Sequence, residues 1–90
     1  MTVADDIRAK LTEALSPSEL DILDESAHHA GHGGARPEGE THFRVRIVSA
    51  AFTGQTRVER QRRVYEIIAE ELRTRVHALA LTTLAPSELR

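Results

Sequence analysis

Five histidines carry most of the chemistry this chain can offer. His28, His29 and His32 crowd into the run SAHHAGHGG, where alanine and glycine neighbours let the imidazoles approach a ligand closely. They match part of a zinc ligand set, with His77 as the distant candidate for a fourth position. The same spacing equally suits a solvated Gly/His loop that binds nothing. His77 opens an apolar segment and reads either as a hydrogen-bonded surface residue or as a ligand; His42 reads as a strand-edge residue bonded to the loop.

Arg57, Arg60, Arg62 and Arg63 form the second cluster. They follow the turn at Gly54 and open a helix, the arrangement in which a basic helix meets phosphates. The competing reading is a solvated helical face balanced by Glu59, Glu66 and Glu70. With two phenylalanines and one tyrosine, the chain lacks a stacking platform for single strands.

Catalytic patterns are absent: no phosphate-binding glycine loop, no nucleophile elbow, no paired carboxylates. Ser49 with a histidine and a carboxylate would be a nucleophilic set, but nothing in the spacing supports it, so the expectation is a protein that is not an enzyme. There is no cysteine, hence no disulfide and no thiolate ligand; soft-metal chemistry would have to borrow sulfur from a partner.

These residues need elements to hold them. Ile7, Leu11, Ala14 and Leu15 recur at helical spacing behind Asp5 and Asp6, and Ser16-Pro17 ends the pattern, predicting a first helix. Leu20 to Glu25 alternates weakly, as a short strand would. Residues 26–41, with four of the five glycines, read as a long flexible loop. His42 to Ser49 alternates cleanly, with Phe43, Val45 and Ile47 on one side and His42, Arg44 and Arg46 on the other.

Thr56 and Glu59 have the form of a capping box, opening a helix to about Arg73 with an apolar stripe of Val58, Val64, Tyr65, Ile68 and Leu72, and with a turn expected near Glu59 to Arg62. His77 to Leu84 reads as a third strand, and Ala85-Pro86-Ser87-Glu88 as the start of a last short helix. The long helix between the second and third strands favours a parallel pair, and the shorter connection between the first two an antiparallel one. The expected α/β fold is therefore a three-stranded mixed sheet, covered by helices on one face and wetter on the face bearing Arg44 and Arg46.

Ninety residues, 40% hydrophobic and 29% charged, make one domain, 1–90. No apolar run is long enough for a membrane span or a secretory signal, so the expected compartment is the cytoplasm. The net charge of −2 is uneven: residues 1–25 hold seven acidic and two basic side chains, residues 36–63 seven arginines and three glutamates.

Three runs, GETHFRVRIVSAAFTG (Gly39 to Gly54), VERQRRVYEIIAEEL (Val58 to Leu72) and VHALAL (Val76 to Leu81), occur in the order and spacing of the BolA-like family, which the chain resembles from Ile7 to Leu89. The resemblance implies an α-β-β-α-α-β(-α) order of class II KH-like type, with a helix-turn-helix-like segment over 50–73. It further implies partnership with a monothiol glutaredoxin around a shared, glutathione-ligated 2Fe-2S cluster in iron regulation or cluster trafficking. His77 matches the family's histidine ligand, and His29, with His32 as the alternative, matches the loop ligand. No cofactor is expected in the isolated protein, which would be a monomer or weak homodimer. The family's other implied role is DNA-binding transcriptional regulation of morphology and stress response, in which Arg57, Arg60, Arg62 and Arg63 would contact double-stranded DNA.

Overall fold

A computed structural model describes residues 2–25 and 42–89. Helix α1 (Val3–Leu15) starts on a reciprocal capping box, in which the Asp5 amide donates to Thr2 Oγ1 at 3.0 Å and the Thr2 amide to Asp5 Oδ2 at 3.2 Å. Ser16, in the left-handed region at φ 44°, ends it. Its buried stripe is Val3, Ile7, Leu11 and Leu15 at four-residue steps. Ala14, expected inside, faces solvent because it lies one position off that stripe.

Strands β1 (Glu19–Asp24) and β2 (His42–Val48) pair antiparallel, and β2 pairs parallel with β3 (Ala78–Leu84), in the order β1-β2-β3. Phe43, Val45 and Ile47 are buried as the alternation requires, with Leu20, Ile22, Leu79 and Leu81 packed beside them. The opposite face carries Arg44, bonded to Glu25 at 3.2 Å, and Arg46, bonded to Glu19 at 2.8 Å. The acidic start of the chain and its basic middle thus meet across one strand pair.

Between β2 and β3 run a 3-10 turn (Ala50–Phe52), α2 (Arg57–Ile67) and α3 (Ala69–Thr74). Thr56 and Glu59 form the expected capping box. The expected turn at Glu59 to Arg62 is absent, since that stretch has no breaker and continues the capped helix; the interruption falls at Ile68 (φ −109°, ψ 28°). Ile67 and Ile68 are adjacent β-branched residues drawn toward one core, which makes that point the local weakness. Val64 and Ile68 are fully buried, whereas Val58 and Tyr65 are exposed, correcting the stripe: successive inward positions fall at 60, 64 and 68. A closing 3-10 turn, Pro86–Glu88, follows β3.

Candidate functional site

His77 owes its position to the residue before it. Val76 is buried in the core, and its amide donates to the Glu71 carbonyl at 2.7 Å as α3 ends. The chain must then turn outward, so His77 is exposed immediately before β3, beside a hollow lined by Leu72 to Val76. Arg75 is tied back to Asp6 of α1 at 3.3 Å, which pins this corner to the first helix.

Parallel pairing sets Ala78 opposite His42. The His42 and His77 rings consequently meet, with centroids 5.4 Å apart and planes inclined at 56°. The His42 carbonyl also accepts the Glu25 amide at 2.7 Å, closing β1 onto β2 at the end where residues 26–41 leave and return. Glu25 and His42, the described residues on either side of 26–41, therefore lie at the sheet end that carries His77. His28, His29 and His32 themselves lie outside the described residues. Among the described residues no group of three or more histidine, aspartate or glutamate side chains is placed to hold a metal ion.

His42 was the residue that sequence reasoning undervalued. Its partnership with His77 is set by strand register across a long crossover, and no local spacing reports it.

The four arginines divide. Arg57 and Arg62 are exposed, Arg57 lining a hollow with Gln61 and the end of β3. Arg63 is half-buried and donates to the Ala51 carbonyl at 3.3 Å. Arg60 is buried at 8% exposure, which corrects both its expected place on a solvated face and its availability to phosphate. It donates to the Gln55 carbonyl at 3.0 Å, the Thr83 carbonyl at 3.1 Å and both Glu88 carboxylate oxygens, at 2.6 and 3.3 Å, while sitting 5.8 Å from the Phe52 ring centre. Counting back four residues from Val64 would have found it. Glu88 is held below the usual carboxylate range by that guanidinium and by the Ala85 amide.

Ser49 is no nucleophile. It is fully buried, donates to the Leu15 carbonyl at 2.6 Å and accepts from the Ala51 amide at 3.1 Å, joining α1 to the turn after β2. No helix among the described residues is long and apolar enough to cross a membrane.

The family profile described as BolA-like protein matches residues 11–88. Protein BOLA1, chloroplastic, of Arabidopsis thaliana is 49% identical over 84 residues, 91% of this chain and 52% of that relative, so the chain spans about half its length. The DNA-binding transcriptional regulator BolA of Escherichia coli is 42% identical over 88 residues, 98% of this chain and 80% of that protein. The solved structure of BolA1 from Arabidopsis thaliana superposes with a TM-score of 0.89 at 44% identity, covering 100% of this chain and 98% of the other.

Proposed function

The chain belongs to the BolA-like protein family, and on that premise we propose that it works by binding, as the histidine-donating half of a 2Fe-2S site shared with a monothiol glutaredoxin. The observation that carries this reading is the position of His77: exposed, beside a second imidazole, at the sheet end where Glu25 and His42, the residues flanking the histidine-bearing run, are bonded to each other. The donor set suits the group, because imidazole replaces thiolate on one iron in Rieske centres, and a cysteine-free chain can contribute nitrogen while a partner contributes sulfur. When bound, the cluster supplies a one-electron centre that can be passed on.

In this reading His77 is one ligand and His29 or His32 the other. The Asp6–Arg75 pair holds His77's corner in place, and the Glu25–His42 bond closes β1 onto β2 at the same end of the sheet. The test is co-purification with a monothiol glutaredoxin and glutathione, monitored by visible absorption and circular dichroism. A coloured complex whose spectrum changes in His77→Ala is expected; an unchanged spectrum in both His77→Ala and the His29/His32 double variant would remove the ligand assignment.

A second reading, duplex DNA binding, draws on the Escherichia coli relative's name and on one surface observation. Val58, Arg62 and Tyr65 share an exposed side of α2, with Arg57 exposed at its start. Arg57→Ala and Arg62→Ala should each weaken duplex binding and lower its salt slope by about one. Absence of binding at ~50 mM salt eliminates this reading.

A further inference from the structure

We propose that Arg60, with Arg57 at its rim, is the centre of a latent site for a terminal phosphate group, closed in the free protein by the carboxylate of Glu88. Glu88 lies on Arg60 as such a ligand would. Its Oε1 and Oε2 accept from Nη1 and Nη2 of the guanidinium at 2.6 and 3.3 Å, the forked pairing by which arginine also holds phosphate.

The receiving half is built independently of its occupant. Arg60 Nε donates to the Gln55 carbonyl at 3.0 Å and Nη1 to the Thr83 carbonyl at 3.1 Å, with the Phe52 ring centre 5.8 Å away. All three partners lie outside the closing turn, so the guanidinium keeps its orientation when Glu88 leaves. Its burial strengthens the attraction for whatever anion meets it. The occupying half is held lightly. No residue of the 3-10 turn Pro86–Glu88 is buried, and the Glu88 side chain is half-exposed. Oε1 also accepts the Ala85 amide at 2.7 Å, so a carboxylate that swings off Arg60 retains a bond within its own turn.

A second cation selects the ligand. Arg57 is exposed and lines a hollow with Gln61 and Thr83, the residue whose carbonyl Arg60 holds. Glu88 brings one negative charge to this pair of arginines, whereas a terminal phosphate brings nearly two at neutral pH, with oxygens to spare for a second guanidinium. A phosphodiester, with one charge, has no such advantage over the resident carboxylate. The closing turn thus acts as an intramolecular competitor. The site rests on neither the cluster reading nor the duplex reading.

The experiment titrates inorganic phosphate into the whole chain and follows the Arg60 Nε–H signal by nitrogen-15 NMR. Glu88→Gln keeps an oxygen for Arg60 and for the Ala85 amide while removing the charge, so the turn is retained. Its Arg60 signal should respond to phosphate with an affinity about five-fold tighter than in the wild type, the order expected when one half-exposed ion pair no longer competes. Adding Arg57→Ala should reverse most of that gain. Glu88→Asp, with the charge drawn back by one methylene, is measured alongside and should fall between the two, which keeps the test open if the Gln variant unfolds. An Arg60 signal unmoved by phosphate in both variants, or one that moves as readily in the wild type, overturns the proposal. A second arm replaces phosphate with a DNA duplex lacking terminal phosphates. A response to that duplex without one to phosphate overturns the ligand class, and a response to phosphate alone supports the site while leaving the duplex reading to fail by itself.

Discussion

Replacing Arg60 with Ala tests whether a residue of phosphate-binding type has been taken into the architecture. Its side chain is 10% exposed and serves two backbone carbonyls, those of Gln55 and Thr83, each worth about 1 kcal/mol net. Its contact with the Phe52 ring adds about 0.5 kcal/mol at this distance, and burial of its methylene stem about 1 kcal/mol. The ion pair to Glu88 is left out of the sum, because that carboxylate is 44% exposed and largely hydrated. The expected loss is about 3.5 kcal/mol, a large part of the roughly 5–15 kcal/mol typical of a domain. In urea denaturation followed by circular dichroism the midpoint should fall sharply with little change in slope. Arg60→Lys should recover less than half, since an ammonium cannot serve carbonyls at Gln55 and Thr83 together with the carboxylate. A loss below about 1 kcal/mol would refute the structural assignment, because it would equal an ordinary surface substitution.

Thr56→Ala removes one side of the α2 capping box and should cost about 1 kcal/mol, read as a lower thermal midpoint. Ile68→Ala, at a fully buried position, should cost about 2–5 kcal/mol by denaturant titration, whereas Val58→Ala, half exposed on the same helical segment, should stay below about 1 kcal/mol. Acid should weaken the fold through Asp5, Glu59 and Glu88, all held below their ordinary values of 3.8, 4.5 and 4.5, the first two by capping bonds with Thr2 and Thr56 and the third by Arg60. Depressed carboxylates stabilise above the unfolded value, and the contribution disappears as pH falls through the folded one, so the urea midpoint should drop on acidification below about pH 4.5. Glu59→Gln should flatten that drop; an unchanged acid profile would contradict the capping role. At the alkaline end, Lys10 is raised by its 2.7 Å bond to Glu71, so its contribution is present at neutral pH and fades only as pH climbs past 10.5.

Local patterns announced most of the fold. The alternation of Phe43, Val45 and Ile47, the Thr56/Glu59 capping box and the helix-length crossover were enough to predict a mixed three-stranded sheet, because each depends on neighbours in the chain. Failures occurred where periodicity identifies a face but not its tenant. The inward position at 60 is filled by an arginine whose charged end finds carbonyls and a carboxylate, while apolar Val58 and Tyr65 stay outside. The site divides in the same way. His77 stood out by its place before a strand and by family likeness, but its proximity to His42 depends on register between segments joined by two helices.

The Arg60 bond to Thr83 also bears on solubility. β3 is an outer strand, and outer strands offer unpaired backbone groups on which another chain can add. By occupying the Thr83 carbonyl from the side and fastening Glu88 of the closing turn, the guanidinium obstructs the end of that edge. At the opposite edge, β1 carries the charged side chains of Glu19, Asp21 and Asp24, the kind of residue that discourages strand addition. Both edges of the described sheet thus carry features that discourage strand addition, and losing Arg60 should expose the molecule to self-association as well as to unfolding.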